Sequence, residues 1–166
     1  MVNRNIIIVF FLLSAISSTC VAGSLPEQLD DEIQISSSVK VSVSIQTITV
    51  SSGSHLPLAE RWGADDSPQM IPPKRIITDL KVIYGGERVI LPASSFTDLC
   101  DLRVAKLRKI KQGFKIDIKG GDAGTAYSAV LIFEGNKLIR RKVVVLEAPS
   151  NAWEETVYHS EFPSDW

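Results

Sequence analysis

Residues 33–45, IQISSSVKVSVSI, set Ile33, Ile35, Val39, Val41, Val43 and Ile45 on odd positions, with Gln, Ser and Lys filling most of the positions between. Strict alternation of this kind marks a half-buried strand. After Ile45 the phase changes, and Ile48 and Val50 become the apolar positions. A bulge or bend near Gln46-Thr47 is therefore predicted, because a slip of one residue would otherwise turn the second half inside out.

From Ser51 to Lys74 the alternation gives way to Ser, Gly, His, Pro and Asp-Asp, with Trp62 and Met70 as isolated large residues. This reads as a long loop at about 51–74, and loops beyond ~12–15 residues are commonly functional or disordered. RIITDLKVIY then restarts an extended run, and Tyr84-Gly85-Gly86-Glu87 joins it to RVILP as a two-residue hairpin.

Residues 94–111 admit two readings. Phe96, Leu99, Cys100, Arg103, Leu107 and Ile110 fall at helical spacing behind Ser95, which would give a helix at about 96–111. Leu102 and Val104 fit that stripe poorly, which favours a short helical turn followed by a strand, LRVAKLRKI. Further on, Phe114, Ile116 and Ile118 alternate with Lys115, Asp117 and Lys119, and Tyr127, Ala129, Leu131 and Phe133 form the next inward row. Gly135-Asn136 turns the chain into LIRRKVVVL, and WEETVYH reads as a last strand. The expected fold is all-β, an antiparallel sandwich or open barrel of about seven or eight strands with at most one short helix. The alternative is α+β, with the helix at about 96–111.

The amino terminus changes the picture of where the chain works. Arg4 precedes an apolar run from Ile6 to Leu13, followed by small residues up to Ala22 and Gly23. That is the layout of a signal peptide over residues 1–22, and the run is shorter than the ~20 residues that span a bilayer. Ser17-Ser18-Thr19 before Cys20 does not fit a lipoprotein signal. A polar segment, 23–32, then leads to a single domain over 33–160 and a tail at 161–166. The implied location is periplasmic or secreted, with no membrane span after processing. Once Cys20 is removed, Cys100 is the only cysteine, so stability must come from a core and Cys100 itself is expected to be buried.

Charge is unevenly distributed although its total is −1. Residues 23–73 carry seven acids and two bases, residues 74–146 fifteen bases and seven acids, and residues 147–166 five acids and no base. Either the basic middle forms a patch for an anionic partner, or acidic and basic strands neutralise one another across a sheet. The second reading is the simpler one. Lys106, Arg108, Lys109, Lys111, Lys115 and Lys119 with Arg140, Arg141 and Lys142 lack interleaved aromatics, which argues against nucleic acid. An anionic envelope polymer or lipid surface is the more sensible counter-charge, and an envelope protein is the other candidate partner.

The stretch IKGGDAGTAYSAVLIFEG is the one glycine-rich candidate for chemistry. Its glycines have neither dinucleotide nor Walker spacing, and they open a strand rather than a helix. The simplest reading is a hairpin connection in which Gly120, Gly121 or Gly124 takes positive φ and Asp122 bonds local amides. As a loop it is also the candidate binding site, formed by Asp122, Tyr127, Gly120, Gly121 and Gly124. The two histidines, His55 and His159, stand in no recognised catalytic constellation, no metal-ligand spacing is visible, and no cofactor is implied. The functional expectation is a binding or interaction module in the cell envelope or outside the cell. Its alternatives are an envelope-associated hydrolase with a site near Asp122, Tyr127 and His159, and a structural subunit that associates through strand edges.

Overall fold

The computed structural model describes residues 27–50, 61–64, 75–147 and 152–159. The proposed signal segment, His55, most of the long loop and the tail lie outside the described residues. Two antiparallel sheets face one another. The first contains β1 (Gln28–Gln34), β2 (Lys40–Thr49), β3 (Arg75–Tyr84) and β4 (Glu87–Arg88), in that order. The second contains β5 (Leu102–Ile110), β6 (Gly113–Gly120), β7 (Tyr127–Glu134), β8 (Lys137–Val145) and β9 (Ala152–Val157). The fold is thus an all-β sandwich with no closed barrel.

Among the described residues nine strands replace the expected seven or eight, and the difference lies at the beginning. The alternating run 33–45 is not one strand, because Ser36–Ser38 form a bend and Val39 returns its carbonyl to Ile35 N–H at 2.9 Å. β1 therefore begins inside the polar segment, at Gln28, and pairs with β2 in the register Ile33↔Val41. The predicted bulge is present, with the β2–β3 register shifting between Gln46 and Thr47. Gly85-Gly86 turn β3 into β4 as expected. In the ambiguous stretch the strand wins over the helix. A single 3₁₀ turn, Ala93–Ser95, precedes β5, whose Leu107 is buried opposite Ile116.

The inward rows make one core. Val41, Val43 and Ile45 face Leu107, Phe114, Ile116, Ile118, Leu131 and Phe133, all buried. Phe114 stacks on Phe133 with ring centroids 4.5 Å apart, and Tyr84 of the first sheet reaches Phe114 at 6.1 Å. Tyr127, Leu99 and Cys100 extend the buried region to one end of the sandwich.

A sandwich has two open flanks, and each is closed by an acid. On one flank β1 lies beside β5, and Asp31 Oδ2 accepts the Leu107 N–H at 2.8 Å. On the other flank the chain runs from β4 through residues 89–101 toward β5. There Arg141, 2% exposed, reaches inward from β8 and pairs with Asp98 of that crossover at 2.6 Å. Its other amino group pairs with Glu154 of β9, which also accepts the Trp62 indole N–H at 3.1 Å. Removing one member of a buried ionic cluster leaves its partners uncompensated. Arg141→Met should accordingly lower unfolding free energy by ~3–5 kcal/mol, with Asp98→Asn added in the same chain recovering part of the loss. Urea denaturation of the three proteins checks this, and a midpoint unchanged in Arg141→Met would refute the closing role.

Candidate functional site

The glycine stretch is the natural first place to look. Gly121 takes φ +73°, as a tight connection requires, and donates its N–H to Asp101 O at 3.1 Å. Asp122 Oδ1 accepts from Ala123 N–H at 3.0 Å, while its carboxylate sits 3.3 Å from Arg103 on the surface. Thr125 Oγ1 accepts the Asp122 N–H at 3.2 Å and closes a short 3₁₀ turn over Ala123–Thr125. Gly120 and Gly124 do not take positive φ. Gly120 is a close-approach position instead, where a Cβ would stand 2.5 Å from the Tyr127 hydroxyl.

Tyr127 does not line a surface. It is fully buried, and its hydroxyl donates to Cys100 O at 2.9 Å. Burial holds the phenol well above its ordinary pKa, so it serves as a donor and not as a base. The inward row predicted from alternation placed Tyr127 correctly, whereas its use as a contact residue needs a side chain the fold has turned inside. Of the five loop residues, Asp122 and Gly124 remain exposed, while Gly120, Gly121 and Tyr127 are buried.

His159 is far from this loop. It shares a cavity with Asn136 and Lys137 beyond one end of β7, while Asp122 precedes the other end. Eight extended residues at ~3.4 Å each separate them by roughly 25 Å. The structure therefore brings no acid and base of the hydrolase alternative together. Among the described residues no group of three His, Cys, Asp or Glu is placed to hold a metal ion, and no helix is long and apolar enough to cross a membrane.

A different surface emerges from register alone. On the outer face of the five-stranded sheet, Arg108, Lys115, Ile132, Arg140 and Val157 stand in one row across β5 to β9. The next row is Lys106, Asp117, Val130, Lys142 and Glu155, and the third begins Val104, Lys119, Ser128 and Val144. Within these three rows six cations stand with two carboxylates, and a further acid, Glu134, stands at the end of β7 opposite Lys137. Asp117 is shared by Arg108 at 2.9 Å and Lys115 at 2.8 Å, and Glu155 pairs with Arg140 at 3.1 Å. Lys106, Lys119 and Lys142 are exposed and hold no ion pair among the described residues.

This outcome sits between the two readings of the charge pattern. β8 and β9 do neutralise one another locally, through Arg140–Glu155 and Arg141–Glu154. The acids of β1, however, lie in the other sheet, where Asp31 serves a backbone amide and Glu32 pairs with Lys40 at 2.6 Å. Three of the nine basic residues also leave the set. Arg141 is interior, Lys109 donates to the Ile35 carbonyl at the flank, and Lys111 sits in the β5–β6 turn. The six that remain are the ones whose parity opposes the core rows.

Comparison of the chain with protein-family models, with curated proteins and with solved structures returns no match.

Two predictions test the loop and its surroundings. Asp122→Asn removes only an exposed ion pair and should change stability by less than ~1 kcal/mol. Gly121→Ala combines a left-handed φ with a Cβ 2.4 Å from Thr125 O and should cost more than ~1 kcal/mol. Paired thermal melts decide the order, and the reverse ranking would make Asp122 more than a turn residue.

The second concerns Cys100, which is free and buried, with burial pushing its thiol from an ordinary 9.0 to about 11. Between those values an unfolded chain releases the proton while the folded chain keeps it. Stability should therefore fall as pH rises through that window, at up to ~1.4 kcal/mol per unit. Cys100→Ala should lack this part of the decline in denaturant titrations from pH 8 to 11, and parallel curves for the two proteins would contradict it.

Proposed function

We propose that the protein is a binding module whose contact surface is the basic outer face of the five-stranded sheet. Its partner is an anionic polymer of the cell envelope, with carboxylate or phosphate groups repeating along a chain. The supporting observation is the excess of six cations over two carboxylates in three adjacent rows of one rigid face, with Lys106, Lys119 and Lys142 holding no carboxylate among the described residues. Such a face concentrates counter-charge over its whole extent and gives attraction that weakens with ionic strength.

A polymer suits this surface better than a small substrate. Cations on β5 and β6 are separated from those on β8 by the strip of Val130 and Ile132 on β7. Strands lie ~4.8 Å apart, so β6 and β8 stand ~10 Å from one another, a gap bridged by an extended chain and not by one anionic group. The leader-like pattern of residues 1–22 supports the envelope as the compartment, while the face supports the chemistry.

Retention on immobilised polyglutamate and polyphosphate tests the reading. Wild-type protein should be held at low salt and released as salt rises. Replacing Lys106, Lys119 and Lys142 together by Gln should weaken retention by ~10-fold or more, taking each contact as worth up to ~1 kcal/mol. The melting temperature should not move, because the three side chains face solvent. Equal retention of the triple variant, equal retention on a neutral polymer, or preferential capture by anionic vesicles would each overturn the assignment.

A further inference from the structure

A second surface lies at the side of the sandwich and is distinct from the basic face. The segment leaving β4, from Arg88 to Pro92, faces the end of β8 and β9 across a groove of about 710 Å³. Its apolar walls include Val89, Ile90, Leu91, Leu138 and Val157. Ile90 is 93% exposed and Val157 51%, two of the four large hydrophobic residues exposed among the described residues. One exposed isoleucine needs no explanation, whereas two such residues lining one concavity of small-molecule size do.

The polar part of the lining is one-sided. Arg88, Lys137 and His159 contribute nitrogen donors, Asn136 and Tyr158 are neutral in charge, and among the described residues no Asp or Glu lines the groove. Arg88 is exposed and only 3.4 Å from Asp79, an ion pair that surface solvent weakens. An apolar trough whose charged rim, among the described residues, is basic is complementary to an apolar chain ending in an anion.

We propose that this groove binds a free single-chain anionic amphiphile, with its hydrocarbon chain against Ile90 and Val157 and its carboxylate or phosphate head at Arg88 and Lys137. A peptide added to the outer edge of β9 is the competing occupant. It would lie along a strand carrying Glu154 and Glu155, which disfavours an acidic segment, while the amphiphile needs no backbone partner and meets no acid in the lining.

The test uses the full chain with dodecanoate, dodecyl phosphate and dodecyltrimethylammonium as monomers, followed by calorimetry and by NMR shifts. The two anionic probes should bind saturably with one molecule per chain, and the cationic probe about ten-fold more weakly or worse. Ile90→Ser with Val157→Ser should lower affinity for every probe by about ten-fold at unchanged melting temperature, since both side chains are exposed. Arg88→Gln should narrow the gap between anionic and cationic heads. The triple Lys106, Lys119, Lys142→Gln variant should bind the probes as the parent does, so this site stands or falls separately from the polymer face. Equal affinity for the cationic probe, indifference to the serine pair, uptake from phosphatidylglycerol vesicles without monomer binding, or tighter binding of an apolar peptide would each overturn the proposal.

Discussion

A buried guanidinium holds the open side of this sandwich shut. Arg141 rises from β8 into the space between the sheets and joins two pieces of chain that share no ladder, Asp98 in the crossover and Glu154 in the edge strand. Arginine suits the position because its planar fork can bond two carboxylates at once and cannot be deprotonated. The arrangement has a cost. Burial raises the Asp98 pKa even with Arg141 beside it, so desolvation outweighs the attraction at that carboxyl. Asp98 Oδ1 and Arg141 Nε also find no partner among the described residues. The cluster is better understood as fixing where the crossover lies than as a large net stabiliser.

With the crossover fixed, several features at the far end of the sandwich fall into place. Trp62 N–H bonds to Asp98 O at 2.8 Å, Cys100 N–H to Trp62 O at 2.9 Å, and Tyr127 OH to Cys100 O. A chain of bonds therefore runs from the ionic cluster to the base of the glycine connection, where Gly120 leaves room for the tyrosine ring. The conformation of the stretch that first suggested chemistry is explained by packing beneath it. On the opposite flank Asp31 performs a comparable service by satisfying Leu107 N–H, and its inward-pointing charge also discourages pairing of another chain with β1.

Most of the fold was legible because alternation is a direct readout of a two-sided sheet. Phe114, Ile116 and Ile118, and Tyr127 to Phe133, needed only parity. β1 escaped because its inward row is Leu29, Asp31 and Ile33, with an acid in the middle, and because its parity continues into β2 across a bend of serines. The ionic cluster escaped for another reason. The β7–β8 register shifts between Ile132 and Phe133, so Leu138 and Arg141 both face inward although three residues apart. Counting back from Val143 would have put Arg141 inside, but its two carboxylate partners come from segments whose proximity no local pattern records. The basic face was present in the same parity as the core, as the positions the core rows skip. What hid it was counting charge by segment, which mixed the interior Arg141 and flank-facing Lys109 with the six residues that share a plane.

The same geometry explains why the positive charge is left concentrated. Neutralising these rows would require acids in the middle of β7, the central strand, yet β7 presents Ser128, Val130 and Ile132 there and carries its one acid, Glu134, at its end opposite Lys137. Within the three rows, among the described residues, only β6 and β9 supply a carboxylate, Asp117 and Glu155, and both are committed to arginine or lysine neighbours. Other acids are held in other work: Asp31 and Asp98 close the flanks, and Asp101 Oδ1 accepts Arg75 N–H at 2.7 Å. Closing a two-layer sandwich from the inside with carboxylates thus withdraws them from its exterior, and the surface that results is strongly basic even though the chain as a whole is close to neutral.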